Sequence, residues 1–299
     1  MEYHIEKLAS PNAVVGEGPV WNPEEKNIYW TDIYGGKLFR YDPEKKSNET
    51  IHDGVQVGGF RFNKSGGLIL GSWDGIILWN SDEDMETIKK GKVDGTDVNI
   101  RINDATSGPD GSFYCGTDAT NWRNDVVFRI NPDRSIDLID EGVKLCNGMG
   151  FSPDETTFYT TDSLRKIIYQ WDYNKNNKTI RNKKIFVKLD DESTGIVDGM
   201  TVDSEGYIWS AIWYSSKVMR FDPDGKLERE IQFPATQTSC PMFGGKDLNE
   251  LYVTTASSGT GEKPNGSEPK NYNFNSYRGG DLFKVTLDIQ GKLEYKTDF

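Results

Sequence analysis

From Glu17 to Pro43 the chain reads EGPVWNPEEKNIYWTDIYGGKLFRYDP. An apolar strand runs into an Asn22-Pro23 turn; an aromatic strand, another turn and a third strand follow. That third strand alternates residue by residue, Lys37-Leu38-Phe39-Arg40-Tyr41. Alternation of this kind marks a strand with one buried face, and Asn-Pro marks its end. The same order returns in NGMGFSPDETTFYTTDSLRKIIYQWDY, Asn147 to Tyr173, and in DGMTVDSEGYIWSAIWYSSKVMRFDPDG, Asp198 to Gly225. Trp21, Phe151 and Val202 share one register, and Tyr29, Tyr159 and Ile208 lie close to another.

Three weaker copies fill the gaps. Gly58–Asn80 forms one. A second begins at Asn103 and ends with the strand Asp125–Ile130. The third spans Ser239–Ala256, with its third strand at Asp281–Thr286. The copies start at Glu17, Gly58, Asn103, Asn147, Asp198 and Ser239, in steps of 41, 45, 44, 51 and 41 residues. A repeat of forty-odd residues with about four short strands is a propeller blade. One blade cannot bury both its faces, so stacking in a closed ring supplies the core. The expectation is an all-β, six-bladed β-propeller with four-stranded blades around a central channel, a single domain over residues 1–299. Tyr3–Leu8 is the expected closing strand; whether Leu293–Lys296 competes for that edge stays open. The long polar loop Ser257–Gly280 reads as a lid or as a disordered excursion.

Composition supports this and narrows the partners. The 12% aromatic residues and 31 glycines suit many strands joined by turns. A net charge of −12 repels polyanions, which excludes nucleic acid and anionic membrane surfaces as partners. The N-terminus lacks the basic and apolar regions of a signal peptide, and no run is long enough for a membrane span. Cys115, Cys146 and Cys240 form neither an even framework nor a CxxC pair. These features point to a soluble cytoplasmic protein whose cysteines are buried side chains.

In a propeller the innermost strands line the channel, so the six starting residues converge at one mouth. Four bear oxygen: Glu17, Asn103, Asn147 and Asp198, each followed by Gly or Asp. Two carboxylates with neutral amide oxygens suit one divalent metal ion. Ca²⁺ is favoured by the oxygen-only shell, while Mg²⁺, Mn²⁺, zinc and iron are not separated from it by sequence. Asp-Gly and Asn-Gly are also ordinary turn dipeptides. Glu-Gly is not, and the common register of all four favours a site.

Four motifs then carry a resemblance: Gly16-Glu17-Gly18-Pro19-Val20-Trp21, Arg101-Ile102-Asn103-Asp104, Asn147-Gly148-Met149-Gly150-Phe151-Ser152 and Asp198-Gly199-Met200. In order and at blade spacing, they resemble the gluconolactonase/regucalcin (senescence marker protein) family, from about Ile5 to Val285. The resemblance implies a six-bladed propeller that hydrolyses sugar lactones such as gluconolactone or a pentonolactone with one bound divalent metal. It implies Glu17, Asn147 and Asp198 as metal ligands. Asn103 becomes a ligand or substrate contact, and Arg101 a contact to substrate oxygens. The family often carries an acidic residue in the loop after the second strand of blade three; here Asp118–Asp125 is shorter and has no glutamate.

On this reading Asp198 is the general base of a metal-assisted lactone hydrolysis, with Arg101 and Asn103 orienting the ring. Trp122, and Trp213 with Tyr214, are candidates to stack on a sugar ring. Only His4 and His52 could complete a Ser-His-Asp triad; the first is expected on the closing strand and the second at the surface of blade one. Cys146 and Cys240 lack a histidine partner. Other readings are a phosphotriesterase-like hydrolase, a non-catalytic calcium-binding regulator, and an interaction module. The last rests on Tyr29-Trp30-Thr31-Asp32, whose plainer meaning is an aromatic strand packed between blades.

Overall fold

A computed structural model describes residues 3–118, 124–192, 194–257 and 268–299. It contains six four-stranded antiparallel sheets, five of them following chain order from the channel outward and the sixth taking the N-terminal strand as its outermost. Blade one shows the pattern: Gly16–Asn22, Asn27–Asp32, Lys37–Asp42 and Ser47–Asp53. The other inner strands are Val57–Phe62, Ile102–Ser107, Cys146–Phe151, Ile196–Val202 and Thr238–Gly244. Among the described residues the only helical turn is a 3₁₀ segment, Ser163–Arg165. The six-bladed propeller is therefore the fold, and among the described residues no helix is long and apolar enough to cross a membrane.

The ring closes with the N-terminal segment, as the sequence suggests. Ile5–Ala9 is the outer strand of blade six and pairs antiparallel with Leu282–Thr286, Ile5 opposite Val285 and Lys7 opposite Phe283. The segment Leu293–Lys296 does not compete for that edge. Instead the last residues cross the opposite end of the channel, over the turns that follow the inner strands. Gly291 N–H donates to the Leu248 carbonyl, and Thr297 is bonded to Phe62 and Lys64.

Each interface between neighbouring blades holds its own apolar cluster. Trp21, Ile28, Trp30 and Tyr41 of blade one meet Tyr252 and Leu282 of blade six. Val20 and Leu38 meet Phe60 and Leu70 of blade two. Trp209 and Val218 of blade five meet Phe243 and Phe283 of blade six. Stacking thus buries the faces that a single blade leaves open.

The Tyr-Trp-Thr-Asp tetrad has a structural explanation. Trp30 is fully buried. Asp32 accepts hydrogen bonds from the backbone N–H groups of Val14, Val15 and Gly35, at 2.9, 3.0 and 3.0 Å. It ties the entry of the inner strand to the end of the second strand of the same blade. Asp162 repeats the device in blade four, accepting from Lys144 and Arg165.

His52 departs from the expectation of a surface residue. It is 5% exposed, because its outer strand packs against blade two. There its Nδ1 lies 2.5 Å from Asp82, and its ring sits edge-on to Trp79. The three cysteines are buried and unbridged.

Candidate functional site

All six inner strands break register with their partners at the same level. The shifts fall between Glu17 and Val20, Val57 and Gly59, Ile102 and Asp104, Asn147 and Met149, Val197 and Met200, and Thr238 and Cys240. These are β-bulges, and each lies at or beside one of the six repeat starts. A bulge inserts an unpaired residue and re-aims its side chain. Here it turns Glu17, Asn103, Asn147 and Asp198 into one cavity of about 100 Å³.

Glycine permits the arrangement. Gly18 follows Glu17 at φ +51°, a conformation that costs other residues energy. A Cβ on Gly148 would lie 2.6 Å from the Asp198 carbonyl oxygen, so the inner strands of blades four and five approach as closely as they do because no side chain intervenes.

Hydrogen bonds fix the amides. Asn103 Nδ2 donates to the Cys146 carbonyl at 2.8 Å and to Asn147 Oδ1 at 3.1 Å. With both its hydrogens engaged, its oxygen is the atom left for the cavity. Asn147 Nδ2 donates to Ser163 Oγ at 3.0 Å, which sets the orientation of its own oxygen.

The carboxylates are buried beside one another. Burial first, then the nearby Asp198 and Asp104 carboxylates, push the Glu17 carboxyl well above its usual range. The Gly18 N–H, 2.8 Å away, and the Cys240 thiol pull it partly back. Burial, then Asp104, raises Asp198 in the same way. Asp104 itself, one residue past Asn103, is pushed up to about 6 by burial, against the pull of Arg61 and the Ala105 N–H. Its place beside the site was not part of the sequence reading, although it stands in a quoted motif.

Among the described residues no group of three or more His, Cys, Asp or Glu side chains is gathered to hold a metal. The donor set here has two carboxylates and takes its further oxygens from amides. No cationic side chain is among the described residues that line the cavity. Two buried carboxylates without a cation in the lining fit a hard divalent ion.

Arg101 stands one layer back, outside the cavity lining. Its guanidinium stacks on Trp73 at 3.3 Å, and its Nε donates to Asp118 at 3.2 Å. Asp118 lines the cavity, 8% exposed. Asp118 opens the shortened loop that has no glutamate, and it brings a carboxylate to the lining from the end of the second strand of blade three. Tyr34 and Trp213 also line the cavity with Tyr214; Trp122 lies outside the described residues. Burial raises the Cys146 and Cys240 thiols well above their usual range, which keeps them protonated and poor nucleophiles.

A profile described as the SMP-30/gluconolactonase/LRE-like region matches residues 15–257. The chain belongs to this family. Its relatives include the pentonolactonase XacC of Haloferax volcanii, 32% identical over 294 residues, 98% of each chain. Regucalcin of Xenopus laevis is 32% identical over 298 residues, 96% of each. Among solved structures, a calcium-binding regucalcin from Agrobacterium tumefaciens superposes with a TM-score of 0.85. It is 20% identical, covering 100% of this chain and 99% of the other. That likeness speaks for the family's propeller fold.

Proposed function

We propose that this family member is a metal-dependent hydrolase opening sugar lactones, a pentonolactone or gluconolactone, to the corresponding aldonic acid. One observation carries the reading: the bulges of blades one, three, four and five aim two buried carboxylates and two oriented amides into a single cavity. The naming of a 32% identical relative as a pentonolactonase supports the reaction class.

Glu17, Asn147 and Asp198 would hold a divalent cation, Ca²⁺ by preference for an all-oxygen set. When bound there, the ion supplies Lewis acidity to an ester carbonyl. The chain's own residues do the rest. Asp198 takes a proton from the attacking water, a role open to a buried carboxylate that lines the cavity. The Asn103 oxygen accepts from a substrate hydroxyl or from that water. Arg101, held flat by Trp73 and anchored to Asp118, keeps this wall in position for the ring.

The test is a pH-indicator screen of aldonolactones with EDTA-stripped protein, re-adding one metal at a time. Turnover is expected only with metal and is abolished in Asp198→Ala. Activity that survives both EDTA and Asp198→Ala refutes the reading. Metal binding that stabilises the fold without lactone turnover refutes its enzymatic part.

A further inference from the structure

Among the described residues only two lysine or arginine side chains are buried, Arg220 and Arg61, 3% and 5% exposed. Arg220 is met by Asp203, Glu205 and Glu228. Arg61 has no such company. Its Nη1 donates to the Phe60 carbonyl at 2.7 Å and its Nη2 to Thr106 Oγ1 at 3.1 Å, while its Nε has no partner. A buried guanidinium held only by neutral groups is costly unless a nearby charge answers it. The inner strands supply that charge. Blade two opens its repeat with Gly58, which gives the cavity no side-chain oxygen, and carries Arg61 farther along the same strand. Blade three carries Asp104 on the same side of its inner strand as Thr106. Asp104 is buried outside the cavity lining and, among the described residues, takes one hydrogen bond, from the Ala105 N–H at 2.6 Å. Arg61 pulls the Asp104 carboxyl down through space, and Asp104 acts in turn on Glu17 and Asp198.

These four charges form one electrostatic unit. Asp118, the remaining carboxylate of the lining, is answered by Arg101. Three carboxylates, Glu17, Asp104 and Asp198, against the single guanidinium of Arg61 leave two negative charges. We propose that Arg61 and Asp104 set the charge of the channel without touching ion or substrate: Arg61 cancels Asp104, so that Glu17 and Asp198 present the charge that one divalent cation neutralises. In a low-dielectric channel an ion responds to the net charge around it as well as to its ligands, in proportion to its own charge. Arg61 and Asp104 are therefore positioning residues for the valence of the ion. The inference rests on Glu17, Asn147 and Asp198 holding the metal, as proposed above, and adds what determines the valence that site accepts.

The test is calorimetric titration of the EDTA-stripped full chain with Ca²⁺ and, separately, with Tb³⁺. Arg61→Met removes the positive charge and should tighten Ca²⁺ about tenfold; Asp104→Asn removes a negative one and should weaken it about tenfold. Because Coulomb energy scales with ionic charge, the same changes become about thirtyfold for Tb³⁺. The double variant restores the balance and should return both affinities to within about threefold of the unaltered chain. Opposite signs, and cancellation in the double variant, are what a purely structural role would not produce. If both single variants weaken Ca²⁺, or neither changes it by more than about twofold, the inference is overturned and the metal site stands. Should Arg61→Met fail to fold, Asp104→Asn decides alone: its loss must be larger for Tb³⁺ than for Ca²⁺, and an equal loss for both overturns the inference. If the unaltered chain binds neither ion, the metal site itself falls and the inference with it.

Discussion

Gly148 sits at the blade-four bulge, between the candidate ligand Asn147 and Met149. A Cβ there would meet the Asp198 carbonyl oxygen at 2.6 Å, Met200 Cγ at 2.7 Å and Met200 N at 2.9 Å. Ordinary contact begins near 3.4 Å, so Gly148→Ala leaves a shortfall of about 0.8 Å, two of its three contacts being backbone. Overpacking of this kind costs about 1–3 kcal/mol of stability. The functional cost is greater, because the strain is relieved by parting Asn147 from Asp198. A misplacement of about 1 Å lowers turnover on the order of 100-fold, so a loss of roughly 10- to 100-fold is expected in kcat/KM, with a comparable weakening of metal affinity. Gly150→Ala is the control. Its added Cβ would meet only side-chain atoms, Val202 Cγ2 at 3.1 Å and Met200 Cε at 3.6 Å, which can yield. The assay is calcium titration of EDTA-stripped protein, followed by the metal-induced rise in melting temperature, with lactone turnover measured in parallel. If Gly148→Ala matches Gly150→Ala in both within about twofold, the claim that close approach of blades four and five sets the site is wrong.

Other predictions concern the scaffold and the ion. Asp203 is fully buried and accepts from Arg220 at 2.7 and 2.9 Å and from Trp209 Nε1 at 2.9 Å. Asp203→Asn leaves the Arg220 charge with only Glu205 and Glu228, and should cost about 3 kcal/mol in urea melts; adding Arg220→Met should recover more than half of that. Asp32→Ala strips an acceptor from three backbone N–H groups and should cost about 2–3 kcal/mol, read as a lowered melting temperature. Removing metal with EDTA should lower the melting temperature. Calcium at about 100 times its dissociation constant should restore about 2.7 kcal/mol, and Asp198→Ala should abolish that response in differential scanning calorimetry.

What could be read ahead of the structure was whatever repeats. The bulges occur once per blade, so aligning six copies found the level of the channel at which Glu17, Asn103, Asn147 and Asp198 meet, without any knowledge of bulges. Asp118 and Asp104 escaped for opposite reasons. Asp118 follows a strand rather than opening one and has no counterpart in the repeat. Asp104 shares a motif with Asn103 and reads only as its neighbour, because strand alternation says nothing about which side a bulge turns to the channel. His52 escaped because an outer strand looks exposed in an isolated blade. Only the twist of the stack brings it against Trp79 and Asp82 of the next.

The C-terminal segment links this architecture to the electrostatics of the site. From Gln290 to Asp298 the chain runs under the ring, bonding to blade five at Ser204, blade six at Leu248, blade three at Gly111 and blade two at Lys64. It reaches blade four through Tyr295 and Glu155, and blade one through Lys296 and Glu24. Thr297 and Ser107 are fully buried beneath it, with Ser107 Oγ donating to the Tyr295 carbonyl. Water is thereby kept from the channel at the turn end, and the cavity holding Glu17 and Asp198 lies at the other. Burial is the largest cause raising Glu17, Asp198 and Asp104 alike, and a channel covered at its far end is what sustains that burial. A carboxylate cluster open to solvent on both sides would keep its charge without a cation, because water would screen it. Covered from one side, the same residues make a divalent ion the most direct way to stay ionised, which is the state a general base at Asp198 requires.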